Sequence, residues 1–289
     1  MQHERITPPP KLELQGSLIL EGDARLALQR IPDNSIQCVV TSPPYWSLRD
    51  YGIEGQIGLE DSVYQYINTL VSVFREVRRV LKPDGTLWLN IGDSYTSGGR
   101  TWRAPDKKNQ ARAMSIRPDT PEGLKPKDLI GVPWRLAFAL QQDGWYLRSD
   151  IIWHKPNAMP ESVKDRPTRS HEYIFLFSKS ERYYYDYQAI REENGRNRRS
   201  VWHINTQPNK EAHFAVFPTT LVEPCILAGS KPGDYVLDPF LGSGTTAVVC
   251  QNLDRKYVGI ELNPEYIQIA VKRLTSILTE APQVTKVVI

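Results

Sequence analysis

A mostly parallel α/β sheet with helices on both faces is the fold this sequence predicts, and three observations predict it. Short β-branched runs such as "GSLILEGD" (residues 16–23) and "SIQCVV" (35–40) have the unbroken hydrophobicity of strands buried on both sides. Segments with apolar residues at helical spacing separate them. The alternation resumes after one long interruption and runs on into the last helix, which argues for parallel strands joined by crossover helices. At 289 residues, 40% hydrophobic and 24% charged, the chain has the length and composition for a substantial core, and residues 1–289 are expected to form one domain.

The elements follow in order. "GSLILEGD" reads as a short strand ending in a Gly-Asp turn, and "ARLALQRI" as a helix stopped by Pro32. "SIQCVV" is the next strand. From Asp61, read as an N-cap, residues Val63, Tyr66, Ile67, Leu70, Val71, Phe74 and Val77 make one apolar helix face, which "KPDG" ends. "TLWLNIGD" is a further buried strand. Residues from about 95 to 128 then break the rhythm: polar, basic, proline-bearing and without period. Pro133 opens a helix running through Leu140, and Gly144 leads into the strand "WYLRSDIIWHK". "EYIFLFSK" and "RYYYDY" read as another strand pair, and the segment at about 181–214 carries a second basic knot, "REENGRNRRSVWHIN". From Phe217 come "DYVLDPF", "TTAVVCQNL", "KYVGIEL" and a last helix. That helix is capped by Asn263, begins at Pro264 and turns Tyr266, Ile267, Ala270 and Leu274 inward.

Composition excludes several function classes. Cys38, Cys225 and Cys250 are odd in number and far apart, which speaks against a disulfide scaffold and for a reducing cytoplasm. Five scattered histidines lack ligand spacing, so no metal site is expected. No apolar run reaches the ~18 residues of a membrane span, and the N-terminus lacks the apolar core of a signal peptide. A net charge of +3 does not by itself announce nucleic acid. Its distribution is more telling: Arg100, Arg103, Lys107, Lys108, Arg112, Arg117, Lys125 and Lys127 cluster in the first irregular segment, and Arg196, Arg198 and Arg199 stand beside Trp202 in the second.

Two motifs carry chemistry. In "VVTSPPYW" (39–46) a buried strand stops at two prolines, a rigid corner topped by aromatic rings. In "VLDPFLGSGTT" (236–246) a strand meets a glycine-rich turn and a helix start; Gly242 and Gly244 permit a tight bend and close approach of backbone to a ligand. One strand later "VGIEL" delivers Glu261 at a strand end, where an acid can accept from ribose hydroxyls. "GSGTTA" satisfies the dinucleotide pattern, so a nicotinamide or flavin cofactor is one reading; no lysine follows the second glycine, so the loop is not that of an NTPase.

Together, "TSPPYW" and "DPFLGSGTT" resemble the DNA amino-methyltransferases, which transfer a methyl from S-adenosylmethionine to an exocyclic base nitrogen. With the catalytic motif first and the cofactor motif last, the chain resembles the permuted β-group of that family, of cytosine-N4 type. "RVLKPDGTLWLNIGDSY", "DRPTRSHEYIFLFSK", "FPTTLVEPCI" and "GIELNPEYIQIA" extend the likeness to all but the two basic segments.

The resemblance implies a Rossmann-like methyltransferase fold, circularly permuted. It implies Ser42, Pro43, Pro44 and Tyr45 as the catalytic corner. It places Asp238, Pro239, Phe240, Gly242, Gly244 and Thr245 around the cofactor, Glu261 on its ribose, Asp23 on its adenine amino group and Thr219 near its methionine carboxylate. Arg198, Arg199 and Trp202 are expected to contact double-stranded DNA; His171 and Glu172 stand where a base pocket would be lined. Within the family SPPY goes mostly with cytosine N4, DPPY and NPPY mostly with adenine N6, so Ser42 favours cytosine and adenine is the alternative. A separate restriction endonuclease and a homodimer are compatible with this reading. Two rivals stay open at this point: a nicotinamide oxidoreductase, which leaves "TSPPYW" idle, and a catalytically silent DNA-binding protein.

Overall fold

The computed structural model describes residues 9–96, 119–207, 217–276 and 285–289. Among these residues, nine strands form one sheet in the order β6-β4-β5-β3-β2-β7-β8-β1-β9. They are β1 (Leu18–Glu21), β2 (Ile36–Thr41), β3 (Leu81–Ile91), β4 (Tyr146–His154), β5 (His171–Ser178), β6 (Val201–His203), β7 (Tyr235–Asp238), β8 (Lys256–Glu261) and β9 (Thr285–Val288). Six of the eight pairings among the described residues are parallel, and β5 alone runs antiparallel to its neighbours β3 and β4.

The described helices cover both faces. Helices α1 (Ala24–Arg30), α2 (Val63–Val80) and α3 (Val132–Gln142) bury their apolar sides in one core with Val39, Leu87, Leu89 and Phe175. Helices α4 (Thr219–Gly229), α5 (Thr245–Asn252) and α6 (Pro264–Thr275) close the other core against Val40, Trp88 and Val236. Val39 and Val40 fall in opposite cores because successive strand side chains point to opposite faces, which is why these strands read as continuous hydrophobic runs. Among the described residues, no helix is long and apolar enough to cross a membrane.

Helix α2 shows how local sequence sets the frame. Its N-cap is Ser62, one residue beyond the expected Asp61: Ser62 Oγ accepts from Gln65 N while Gln65 Oε1 accepts from Ser62 N, a reciprocal capping box. Its buried face includes Tyr66, Leu70, Phe74 and Val77 as expected, with Val73 and Val80 in place of Val71. Helix α3 starts at Gly131 without a side-chain cap of its own; Asp93, beyond the end of β3, accepts from the amides of both Gly131 and Val132.

Several expectations need correction. "RYYYDY" is not a strand. Tyr184 N donates to Asp84 O and Asp186 N to Ala228 O, and Tyr185 stacks on Trp88 at 6.2 Å, so the segment is a cover over the second core. The basic knot holds a short strand instead, β6, parallel to β4.

Trp202, expected to touch DNA, is a core residue only 4% exposed. Its indole N–H donates to Arg199 O, and the Arg198 guanidinium lies 4.4 Å above its ring. Aromatic character beside arginines in the sequence marked an anchor for the loop, not a contact surface. Of the first basic segment, Arg100, Arg103, Lys107, Lys108, Arg112 and Arg117 lie outside the described residues.

Candidate active site

The two motifs lie about two hundred residues apart in sequence and side by side in space. Strand β2, which ends in the proline corner, pairs with β7, which ends in the glycine turn, through Cys38↔Val236 and Val39↔Leu237. The C-terminal ends of parallel strands at such a point open a crevice. Here it is a cavity of about 930 Å³, lined from one end by Asp23, Phe240, Gly242 and Glu261 and from the other by Ser42, Tyr45, Lys155 and Glu172.

On the glycine side, Asp238 organises the turn. Its Oδ1 accepts from Thr41 Oγ1 at 2.6 Å and from Phe240 N at 3.1 Å, and its Oδ2 accepts from Thr246 Oγ1 at 2.7 Å. Burial, opposed by those donors, pushes the carboxyl up to about 6. Gly242 takes φ +55° and donates its N–H to Glu261 Oε2 at 2.7 Å, while Glu261 Oε1 accepts from Asn263 N at 2.8 Å. Burial pushes Glu261 up to about 7, so this acid faces the cavity in an under-solvated state. Asp23 caps α1 through Arg25 N and pairs with the Arg25 guanidinium; burial works against its charge, but the Arg25 contacts hold it below the ordinary carboxylate range.

Not every expected residue faces the cavity. Pro239, Phe240, Gly242, Thr245, Glu261 and Asp23 do. Thr219, on the first turn of α4, lies outside the lining, and Asp238 works from behind the turn. Gly244 also lies outside it. With φ +83° it starts α5, and a Cβ there would stand 2.8 Å from that of Ala270 on α6, so packing and backbone demand this glycine. Tyr266, expected to face inward, instead lines the cavity edge-on to Tyr51 at 5.9 Å.

On the corner side, Ser42, Pro43, Pro44 and Tyr45 all line the cavity. Tyr66 Oη donates to Pro44 O at 2.8 Å, and Trp46 Nε1 to Glu60 O at 2.9 Å, which bolts the corner to α2 and the loop before it. Tyr45 Oη donates to Glu172 Oε2 at 2.8 Å. Burial first, and then the Glu172 charge, hold the phenol well above its ordinary value, so it stays a donor. Glu172 also pairs with Lys155 Nζ and accepts from Asn90 Nδ2 at 3.2 Å. The Lys155 and Glu172 side chains are each only 18% exposed. His171, the neighbour of Glu172, turns away and packs edge-on to Tyr173 at 5.4 Å.

Sequence reasoning missed Asn90, Lys155, Gly92 and the hydroxyl role of Tyr66. Gly92 gives Tyr45 its seat: a Cβ at Gly92 would lie 2.8 Å from Tyr45 Cε2. Nothing local to "NIGD" signals this, because the ring arrives from another strand.

The segment that builds both halves of this crevice matches the model of a known family. Its model, DNA methylase, matches residues 36–272. The chain belongs to this DNA methylase family. The methylase is 68% identical over 275 residues to the Type II methyltransferase M.Cfr9I of Citrobacter freundii, spanning 94% of this chain and 92% of the relative. It is 66% identical over 267 residues to M.SmaI of Serratia marcescens, spanning 90% and 91%. Its fold is that of the PvuII DNA methyltransferase (cytosine-N4-specific), with a TM-score of 0.70 at 23% identity over 90% of this chain and 86% of that one. TTHA0409 of Thermus thermophilus, solved with S-adenosyl-L-methionine, matches with a TM-score of 0.66 at 28% identity over 94% and 98%.

The methylase is an S-adenosylmethionine-dependent DNA methyltransferase, and the nicotinamide reading falls away. The site fits that cofactor. Glu261 is a buried acceptor facing the cavity at a strand end, and the backbone beside it bends at a glycine that lines the same space.

Proposed function

We propose that this methylase transfers the methyl group to the exocyclic N4 of cytosine in double-stranded DNA, at a specific site, with the target base turned out of the helix. One observation carries the reading: the Ser42–Tyr45 corner and the Gly242–Glu261 turn open into one cavity. S-adenosylmethionine supplies a methyl group on a sulfonium centre. Phe240, Gly242 and Thr245 would hold it, with Glu261 placed to accept from its ribose and Asp23 from its adenine amino group. Thr219, expected near the methionine carboxylate, is left without a cavity contact to support that role.

The remaining work belongs to the corner. An exocyclic amine is a poor nucleophile because its lone pair is delocalised into the ring. Acceptors on its N–H bonds return electron density to nitrogen. Pro44 O is already engaged by Tyr66, so Pro43 O and Ser42 Oγ are the acceptors offered to the amine. The Tyr45 ring, pinned through its hydroxyl to Glu172 and Asn90, gives the base a face to stack on. Attack then depends on position more than on acid–base power.

Ser42 favours cytosine through the association of SPPY with N4 chemistry, and the same fold serves a cytosine-N4-specific enzyme in PvuII. Extruding a base costs a few kcal/mol, which Arg198, Arg199 and the irregular basic segments offset by holding phosphates. A separate restriction endonuclease acting at the same sequence accords with relatives named Type II methyltransferases.

The test is mass spectrometry of nucleosides from unmethylated plasmid DNA incubated with the protein and methyl-labelled S-adenosylmethionine. Label in N4-methylcytosine is expected. Label in N6-methyladenine would keep the cavity and overturn the reading of Ser42, and no label would return the chain to a silent binder.

A further inference from the structure

We propose that Met159 is an apolar wedge that enters the DNA stack where the target base has left it. The proposal rests on the reading of the cavity given above, since it takes duplex DNA as the substrate.

Three features of the β4–β5 connection carry it. The first is place. Trp153, Lys155 and Asn157 line the cavity at the end where Tyr45 and Glu172 stand, and the chain leaves that rim directly for solvent. Met159 follows Asn157 by two residues, at most about 7 Å of chain. A side chain on this crest is therefore within a few base-pair steps of any nucleotide that enters the cavity.

The second is rigidity. Lys155 N donates to Ser170 O at 2.7 Å and closes the neck of the loop. Asn157 grips the irregular segment after β6: Thr206 N donates to Asn157 Oδ1 at 2.8 Å and Asn157 Nδ2 to Thr206 O at 3.0 Å. Ala158 N donates to Lys155 O, and Pro156 and Pro160 fix the backbone on either side of the crest. Farther along, Arg166 lies 3.8 Å over the Tyr95 ring and pairs with Glu161, while Lys127 pairs with Asp165. A loop tied at so many points has no need of a flexible apolar residue at its tip.

The third is exposure. Met159 is 76% exposed, the most exposed of the large hydrophobic side chains among the described residues. A single exposed apolar residue is ordinary by itself. This one stands on a braced loop beside the base end of the cavity; Lys155, Arg166 and Arg169 of the same segment are ion-paired with Glu172, Glu161 and Asp93, and Lys164 is exposed. The exposed Lys164 ammonium beyond the crest suits a backbone of phosphates.

The chemistry fits the gap. An extruded base leaves its neighbours unstacked, and an inserted apolar side chain restores contact to them. Methionine is unbranched, turns about three bonds and offers a polarisable sulfur to aromatic faces, so it adapts to an irregular slot between two bases.

The experiment first maps the methylated site by sequencing the treated plasmid, then compares wild type, Met159→Ala and Met159→Leu on two duplexes that contain that site. One is fully paired, and the other carries a mismatch opposite the target base, which lowers the work of extrusion. Met159→Ala is expected to lose about ten-fold or more in kcat/KM on the paired duplex and to stay within about two-fold of wild type on the mismatched one. Met159→Leu is expected to stay near wild type on both. Unchanged S-adenosylmethionine affinity shows that the variants are folded. Equal losses on both duplexes, or no loss on the paired one, would overturn the wedge while leaving the methyltransferase reading intact. A wild type that methylates no DNA would remove that reading and the wedge with it.

Discussion

The Thr41 hydroxyl donates to the Asp238 carboxylate at 2.6 Å, which joins the last residue of β2 to the last residue of β7. One residue after each partner, the corner and the glycine turn begin. This bond therefore sets the relative height of the two halves of the site. Thr41→Val keeps the shape and removes the donor, leaving a buried carboxylate under-satisfied at a cost of about 1–3 kcal/mol. The pH dependence has a definite sign. Burial raises Asp238 from 3.8 to about 6, so the stability it contributes is complete below about 3.8 and is lost as pH rises through 6. Because Thr41 stabilises the charged form, the gap between wild type and Thr41→Val in urea unfolding should be wider at pH 8 than at pH 5. A gap that is equal at both would show that the bond does not serve the carboxylate.

Gly92 and Tyr45 make a second coupled pair. Gly92→Ala should push the Tyr45 ring out of its seat, since the added carbon would stand 2.8 Å from Cε2. Methyl transfer should fall by about ten-fold or more, with S-adenosylmethionine affinity unchanged because the cofactor residues lie elsewhere. Tyr45→Ala should give the same separation of turnover from binding. Steady-state rates beside calorimetric affinities check both, and unchanged turnover in Tyr45→Ala would remove the stacking role.

Glu261 predicts a pH dependence of cofactor binding. Burial raises it from 4.5 to about 7, whereas hydroxyl donors from a ribose favour the carboxylate. Binding then releases a proton, and affinity should climb as pH rises from about 6 to about 8, approaching roughly ten-fold per unit below the pKa. Glu261→Gln should bind more weakly at high pH and lose the slope. In the free protein the same shift has the opposite consequence: Glu261 contributes stability below 4.5 that is lost as pH rises toward 7. A wild-type affinity flat across this range would detach Glu261 from the ribose.

Arg198 and Arg199 are expected to hold DNA phosphates. Replacing both with alanine should lower the slope of log affinity against log salt by roughly one unit for each phosphate no longer held. Arg198 covers Trp202, so Arg199→Ala alone gives the cleaner reading of charge without repacking. An unchanged slope would make the knot a solvated loop.

Elements defined by local periodicity were legible in the sequence: β2, α2, β5, α5 and α6 appear where the hydrophobic pattern places them, and Asn263 caps α6 as expected. Both motifs were legible because their shape is local, two prolines in one and φ-positive glycines in the other. Meaning that depends on distant partners was not legible. Trp202 looks the same in sequence whether it faces DNA or a core, and only the sheet position of β6 decides it. "RYYYDY" reads like a strand, yet Tyr185 stacks on Trp88 and the segment finds no ladder partner. Lys155 and Glu172 meet Tyr45 only through the β4–β5 pairing, and Gly244 is fixed by Ala270 on a later helix.

The β2–β7 pairing also governs how such a molecule is made. The bond between Thr41 and Asp238 spans 197 positions, a contact of very high order at the centre of the sheet. On the ribosome the corner emerges early, and β2 waits beside β3 with its other edge open until β7 follows. A nascent or truncated chain that lacks β7 and β8 thus has half a site and an unpaired central strand. It is fit for chaperones or proteases and unable to mark DNA. Synthesis of this chain carries its own delay, because activity begins only after the segment that fills the middle of the sheet has been released.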